Sequence, residues 1–186
     1  MIPEDAGRVL LTLARGAIER ELVGGRGRVA PAAEAPWLRE PGATFVTLTS
    51  AGRLRGCIGS LQAWRGVGED VVANARAAAF GDPRFPPVAA SELPRLRVEV
   101  SLLSASSPVT FADEADAVAQ LRPGVDGVIL TAPGRRGTFL PQVWDELPDP
   151  RDFMAHLKRK AGLPASYWGP DVRLERYTVQ KWSEPR

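Results

Sequence analysis

The sequence predicts an α+β fold built on an antiparallel or mixed sheet that is flanked by helices. Amphipathic helical spacing over residues 4–23 and 66–81 is interspersed with two predicted strands, a β-branched and aromatic segment over 43–50 and its returning partner over 53–61. Only Ala51-Gly52 separates these two strands, which is a hairpin signal and makes them antiparallel neighbours. Because no steady strand–helix–strand rhythm follows, a doubly wound parallel sheet is disfavoured.

The N-terminal half begins with a helix over residues 4–23, which Gly24-Gly25 ends. The Gly-, Pro- and Ala-rich stretch from 24 to 42 is expected to be a surface connection. The helix over 66–81 places one apolar face inward, formed by Val67, Val71, Ala75 and Ala78 or Ala79. The following Asp82-Pro83-Arg84-Phe85-Pro86-Pro87 cannot continue a helix and is predicted to be irregular.

The C-terminal half carries strand, turn and helix signals in turn. Residues 96–104 alternate cleanly, with Leu96, Val98, Val100 and Leu102 on one side and Arg97, Glu99 and Ser101 on the other. Asp149 is expected to be the N-cap of a helix that ends at Gly162. The remaining predicted elements are a helix over 111–121, strands over 125–131 and 138–140 around a basic turn, and a closing strand over 172–182.

Length and composition restrict the class of protein. A chain of 186 residues is one domain, or one domain with a small added lobe, and its 44% hydrophobic content suffices for a core. The net charge is only +2 and no RRM, KH or helix-turn-helix signature is present, which disfavours nucleic-acid binding. Charged residues interrupt the apolar N-terminus, and no stretch is long and apolar enough to span a membrane. With a single cysteine, the expected location is the cytoplasm.

Several kinds of active site are disfavoured by what the sequence lacks. One cysteine and one histidine, His156, cannot form a Cys/His zinc site. There is no P-loop, the glycine fingerprint of dinucleotide sites is incomplete at Gly66-Val67-Gly68, and no Gly-x-Ser-x-Gly occurs. A carboxylate-only Mg²⁺ or Mn²⁺ site stays open but has no motif in the sequence, so no metal and no cofactor are predicted.

The segment from Arg53 to Gly59 is the strongest candidate site. Strand alternation would place Arg53, Arg55, Cys57 and Gly59 on one face. Neighbouring arginines favour a thiolate, and Gly56 and Gly59 would let a ligand approach closely. The alternative is structural, since a free cysteine is most often a small buried hydrophobe and glycines also permit a bulge or a tight crossing.

Other candidates each have a structural alternative. Asn74 would point its amide into a cleft or cap the sheet. Arg84 and Phe85 would bind a ligand from their Pro-bounded loop; the alternative is that Arg84 is a surface charge and Phe85 a core residue. Glu99 would be a base or an ordinary exposed residue. His156 would be a base for Cys57 or a helix-surface residue, and the second role is favoured.

The string Leu54-Arg55-Gly56-Cys57-Ile58-Gly59 resembles the hallmark of the AMMECR domain family, the AmmeMemoRadiSam system protein A group. Other stretches match in order; among them are Asp82-Pro83-Arg84-Phe85-Pro86-Pro87, Gly124-Val125-Asp126-Gly127-Val128, Thr138-Phe139-Leu140-Pro141-Gln142-Val143-Trp144 and Leu157-Lys158-Arg159-Lys160-Ala161-Gly162-Leu163. The match covers about residues 5–182, so the chain is identified as a single AMMECR domain over 1–186.

The resemblance implies a two-lobed α+β fold with a smaller second lobe and a cleft near the cysteine motif. It also implies a Memo-like protein and a radical SAM protein as partners, but no settled reaction. Cys57 is the candidate catalytic residue, and a small anionic ligand is the substrate expected for Arg55. The candidate substrate-binding residues are Arg55, Gly56, Gly59, Asn74, Arg84, Phe85 and Glu99. Two functions stay open, a small enzyme or enzyme subunit that uses Cys57 and a non-catalytic adaptor, with nucleic-acid binding a distant third.

Overall fold

The structure is a computed structural model that describes residues 2–24 and 35–185. It divides into two compact units, the first formed by Met1–Leu103 with Gln180–Arg186 and the second by Ser104–Val179. Each unit has an antiparallel sheet and helices, which confirms the α+β class and the smaller second lobe. That the whole chain forms one AMMECR domain stays a prediction.

The elements follow the chain in a mixed order. The helices are α1 (Ala6–Leu22), α2 (Val67–Phe80), α3 (Glu114–Ala119) and α4 (Pro150–Lys160), with 3₁₀ turns at Pro36–Arg39, Ala90–Arg95 and Pro141–Asp145. The strands are β1 (Pro41–Ser50), β2 (Arg53–Gly59), β3 (Arg65–Gly66), β4 (Leu96–Leu103), β5 (Ser107–Val109), β6 (Gly127–Ala132), β7 (Arg135–Phe139), β8 (Arg173–Tyr177) and β9 (Val179–Ser183).

In the first unit the strand order is β2-β1-β4-β9, and β3 pairs with the start of β1. The inner positions of β1 and β4 pack against the apolar faces of α1 and α2, because both helices carry small and aliphatic residues at helical spacing. The side chains predicted to face inward on α2 are buried, both Ala78 and Ala79 among them. β2 lies at one edge of this sheet, so its outer backbone groups need partners from outside the sheet.

The second unit has the strand order β5-β8-β6-β7, with its core between this sheet, α3 and α4. Phe153 on α4 stacks on Trp144 at a centroid distance of 3.7 Å, and both rings are buried. The predicted N-cap of α4 is confirmed, since the Asp149 carboxylate accepts from the backbone N–H of Arg151 at 2.7 Å.

Some element predictions were wrong. The single strand expected over 172–182 is two strands, because β8 pairs with β6 in the second unit whereas β9 joins the first sheet, with Thr178 between them. The helix expected over 111–121 is only α3, which starts after its N-cap Asp113. Of the predicted connection over 24–42, residues 25–34 lie outside the described residues, and its last part is the 3₁₀ turn and the start of β1.

Within the part of the chain that the structure describes, no helix has both the length and the apolar character needed to cross a membrane. In the same residues, no three His, Cys, Asp or Glu side chains cluster closely enough to hold a metal ion.

Candidate functional site

The cysteine segment lies on the edge strand β2, and a bulge interrupts its pairing with β1. Thr49 pairs with Leu54, but Leu48 pairs with Gly56 and Thr47 with Cys57, so Arg55 has no partner on β1. Paired residues of antiparallel strands share a face, so Leu54 lies on the same face as Cys57. The prediction of strict alternation from Arg53 to Gly59 was therefore wrong at this bulge, where one extra residue shifts the register.

Cys57 lies on the face of the first sheet that points away from α1 and α2. Its side chain is half-buried, and its Sγ lies 3.3 Å from the Thr47 hydroxyl. On the other side of β1, Thr47 pairs with Glu99 of β4. A thiol, a hydroxyl and a carboxylate thus occupy one row across three neighbouring strands. The half-buried Glu99 accepts a hydrogen bond from the Ser183 hydroxyl at 2.9 Å.

The backbone of Cys57 is held by the Pro-bounded segment after α2. Its N–H donates to the Asp82 carboxylate at 2.9 Å, and its carbonyl accepts from Arg84 at 3.2 Å. Asp82 is buried and also accepts from the Arg84 guanidinium at 2.7 and 3.0 Å. These bonds, first that of Arg84 and then that of the Cys57 N–H, hold the pKa of Asp82 well below its usual range. An Asp–Arg pair therefore covers the outer edge of β2.

Arg55 is engaged in a second ion pair beside the same edge. Its guanidinium donates to the Glu92 carboxylate at 2.7 and 3.0 Å, and Arg55 lowers the pKa of Glu92. The Phe85 ring lies 6.0 Å from the Arg55 guanidinium and 5.5 Å from that of Arg84. Because Glu92 and Asp82 balance these arginines, the structure does not show the uncompensated positive charge beside the sulfur that the sequence suggested.

Gly56 and Gly59 are both required by close packing. A Cβ on Gly56 would stand 2.1 Å from the backbone carbonyl oxygen of Ala78 in α2, and one on Gly59 would stand 2.2 Å from the Phe45 ring. The space beside each glycine is thus filled by the protein itself. Their expected role in admitting a ligand stays a prediction.

Asn74 lies on the opposite side of the sheet, in a buried polar network between α2 and β1. Its amide nitrogen donates to the Thr44 carbonyl at 2.9 Å and to the Asp70 carboxylate at 3.0 Å. Asp70, which is 1% exposed, also accepts from the Thr44 N–H, the Ser60 hydroxyl and Arg65 at 2.7–2.9 Å. This geometry matches the sheet-capping interpretation of Asn74.

His156 belongs to the second unit and Cys57 to the first. The histidine is exposed on α4, with its Nδ1 2.9 Å from the Asp152 carbonyl oxygen of the preceding turn. This is the helix-surface environment that the sequence favoured.

Sequence reasoning missed Thr47, Asp70, Asp82 and Glu92 as neighbours of the candidate residues. Asp82 had a detectable signal, since Asp before Pro in a loop commonly binds a backbone N–H two residues on, and it accepts from the Arg84 N–H at 3.1 Å. Thr47 had no such signal in the sequence, because a two-residue hairpin without a bulge would pair Cys57 with Val46. Only the bulge brings Thr47 beside the sulfur.

Comparison with known proteins decides the family. The AMMECR1 family model matches residues 11–182. The chain belongs to the AMMECR1 family. Its relatives in this family include a protein of Methanothermobacter thermautotrophicus that is 38% identical over 98% of this chain and 96% of its own length. Another is protein MK0488 of Methanopyrus kandleri, 34% identical over 97% and 89%.

A solved structure is also similar to this chain. The crystal structure of the uncharacterized protein PH0010 from Pyrococcus horikoshii has a TM-score of 0.83 and 34% sequence identity to it. The match covers 98% of this chain and 93% of the other. The AMMECR1 fold of this protein is thus shared along nearly its whole length.

Proposed function

We propose that this AMMECR1-family protein is a small cytoplasmic enzyme or enzyme subunit that uses the Cys57 thiol as a nucleophile or covalent acceptor, acting with a Memo-like protein and a radical SAM protein. The observation that carries the proposal is the position of the Cys57 sulfur. Residue Cys57 is half-buried on a sheet face rather than sealed in the aliphatic core, and the neighbour of its sulfur there is a hydroxyl.

The sulfur is the one chemically reactive group of the cysteine motif that is not engaged in a contact that holds the fold together. The backbone of Cys57 is hydrogen-bonded to Asp82 and Arg84, and the Arg55 guanidinium is hydrogen-bonded to Glu92. Neighbouring atoms occupy the space that a side chain at either glycine would need. None of these contacts needs a thiol, because the Thr47 hydroxyl would bond equally well to a serine at position 57. A cysteine at this position is therefore best explained by reactivity.

The row of Cys57, Thr47 and Glu99 supplies the groups that such chemistry needs. A thiolate is the reactive form of cysteine, so a base must remove its proton. Glu99 lies two strands from Cys57, about 9–10 Å between Cα atoms, with Thr47 in between. We assign Glu99 as the base of this row and Thr47 as the positioning residue, because its hydroxyl lies 3.3 Å from the sulfur. Arg55, Arg84 and Phe85 stay proposed as the substrate-binding set, whereas Gly56, Gly59 and Asn74, whose surroundings the protein itself fills, are proposed as the supporting set.

Native-state thiol labelling tests this function. Iodoacetamide is expected to alkylate Cys57 in the folded protein below pH 8 within minutes, as measured by intact mass, and Glu99→Gln is expected to lower the rate across the pH profile because the base is lost. Glu69→Gln, which changes an exposed carboxylate on α2, is the matched control and should leave the profile unchanged. Labelling that occurs only after denaturation in urea would eliminate the enzyme proposal.

The second candidate is a non-catalytic adaptor, favoured by the structural use of the rest of the motif. Arg55, Gly56 and Gly59 are each explained by contacts that hold β2 to α2 and to the 82–95 segment. An adaptor would keep binding a purified Memo-like or radical SAM protein after Cys57→Ser. The unmodified adaptor would show no alkylation of Cys57 in the native state. The enzyme proposal expects rapid alkylation of the unmodified protein, so the two functions separate on this measurement.

A further inference from the structure

A groove of about 910 Å³ lies on the same face of the first sheet as Cys57. It extends from the β1–β2 turn across the start of β4 to the end of β9. Its polar lining includes Thr47, Thr49, Arg95, Arg97, Glu99 and Ser183. Thr47 is common to this groove and to the sulfur, which lies 3.3 Å from its hydroxyl, so the groove adjoins the proposed nucleophile.

One end of the groove carries two guanidinium groups with unused donors. Arg95 is exposed, and its guanidinium has no hydrogen bond or ion pair to any residue in 2–24 or 35–185. Arg97 uses one nitrogen to donate to the Glu184 carbonyl at 3.0 Å. The nearby Glu184 carboxylate is occupied by Arg15 and by the Val98 N–H, so it does not neutralise the two arginines.

The other end carries a carboxylate at a defined spacing. Glu99 and Arg97 project from the same face of β4 two residues apart, which places their Cα atoms about 7 Å from each other. Thr49 flanks Arg97 and Thr47 flanks Glu99, because these are their register partners on β1. Within the described residues Glu99 accepts a hydrogen bond from Ser183 alone, which leaves acceptor positions free.

From this arrangement we propose that the groove binds a small zwitterion, with a phosphate or carboxylate group on Arg95 and Arg97 and an ammonium group on Glu99. The planar guanidinium group of arginine fits either a phosphate or a carboxylate with two parallel hydrogen bonds. Charge-assisted hydrogen bonds at each end of the groove therefore favour a molecule that carries both charges over a molecule that carries only one. Taking this molecule as the substrate presented to Cys57 rests on the proposed function, in which Glu99 takes the thiol proton, releases it to solvent and is again a carboxylate when the ammonium group binds. The zwitterion class itself follows from the groove.

Calorimetric titration with defined probes tests the binding. Phosphoethanolamine and γ-aminobutyrate each join an anionic group to an ammonium group, one through phosphate and one through carboxylate. At least one is expected to bind about tenfold more tightly than inorganic phosphate or ethanolamine. Arg95→Gln and Glu99→Gln should each weaken the preferred probe about tenfold, whereas the control Arg39→Gln, an exposed arginine outside the groove, should leave its affinity unchanged.

The outcomes separate this inference from the proposed function. No binding of either zwitterion at 10 mM, which is about tenfold above the upper end of the usual KM range of enzymes, would overturn the inference. Equal affinity for phosphate alone, with no effect of Glu99→Gln, would also overturn it, since the groove would then select an anion only.

If the zwitterion binds and slows iodoacetamide labelling of Cys57, the inference holds in full; if it binds without protecting Cys57, its assignment as the substrate is wrong. Zwitterion binding by a protein whose thiol is never labelled in the native state would remove the enzyme proposal and leave the zwitterion site standing.

Discussion

At the scale of single residues, Asp82 links the cysteine strand to the loop after α2. Its buried carboxylate accepts from the Cys57 N–H and from the backbone and side chain of Arg84. A buried carboxylate is tolerated when its oxygens are bonded in this way, and each of these bonds favours the ionised form. The stability of the site should therefore depend on pH.

The sign of this dependence follows from the lowered pKa of Asp82. In the unfolded chain an aspartate titrates near pH 3.9, and Arg84 and the Cys57 N–H depress that pKa in the folded state. The stabilising contribution is therefore complete above about pH 5 and is lost as the pH falls through the unfolded and then the folded pKa. Arg55 also lowers the pKa of Glu92, so the folded state loses stability there too as the pH falls. This second loss begins at a higher pH, because an unfolded glutamate titrates above an unfolded aspartate.

Asp82→Asn is expected to reduce this acid sensitivity. The free energy of unfolding, measured with urea at pH 7, should fall relative to the unmodified protein because the ionised acceptor is lost. Its further decline between pH 5 and pH 2.5 should be shallower, because the asparagine does not titrate. The control Glu40→Gln alters an exposed carboxylate of the same unit and should leave both values close to those of the unmodified protein. Parallel pH curves for Asp82→Asn and the unmodified protein would contradict the proposed linkage.

At the scale of elements, the contact between β2 and α2 depends on the absence of a side chain at position 56. The Ala78 carbonyl oxygen occupies the place of a Cβ, and a helix backbone cannot move aside as a flexible side chain can. A substitution at Gly56 therefore has to displace either the strand or the helix.

Gly56→Ala is expected to lower the free energy of unfolding by about 1–3 kcal/mol, the usual cost of overpacking, in urea titrations at pH 7. The matched control is Gly16→Ala in α1, where the new methyl group would meet only the end of the Arg20 side chain at 3.3 Å. That change should stabilise the protein by about 0.5–1 kcal/mol, because glycine is unfavourable inside a helix. Equal effects of both changes would show that the tight approach at Gly56 is absent.

The sequence predicted the type of most elements correctly but not the register of the hairpin. Hydrophobic spacing suffices to place α1, α2 and β4, because those patterns are local and repeat along each element. The Ala51-Gly52 turn alone would pair Thr47 with Gly56. The bulge at Arg55 moves Thr47 opposite Cys57, and its position depends on the contacts of Arg55 with Glu92 and of Gly56 with α2.

At the scale of the whole molecule, each unit has a hydrophobic core of its own. The first core lies between its sheet, α1 and α2, whereas the second is built around the stacked rings of Trp144 and Phe153. Separate cores allow separate opening reactions, which amide hydrogen exchange can distinguish.

Phe153→Ala is expected to destabilise the second unit by about 3–5 kcal/mol, because a fully buried ring is replaced by a cavity. Exchange should accelerate for the amides of β6 and β8, whereas the amides of β1 and β4 should keep their protection. Equal acceleration in both sheets would show that the two cores unfold together, contrary to this prediction.

The sequence by itself determined the α+β class and the principal helices and strands, because periodicity and turn residues are local properties of the chain. It also indicated the segment around Cys57 as a candidate site, which stays a prediction. The tertiary structure alone decided that Arg55 and Arg84 are neutralised by carboxylates, that residues 173–183 divide between two sheets, and that Cys57, Thr47 and Glu99 share one row. These features join residues far apart in the chain. Strand register and ion pairing between such residues depend on which surfaces meet, and no local pattern encodes that choice.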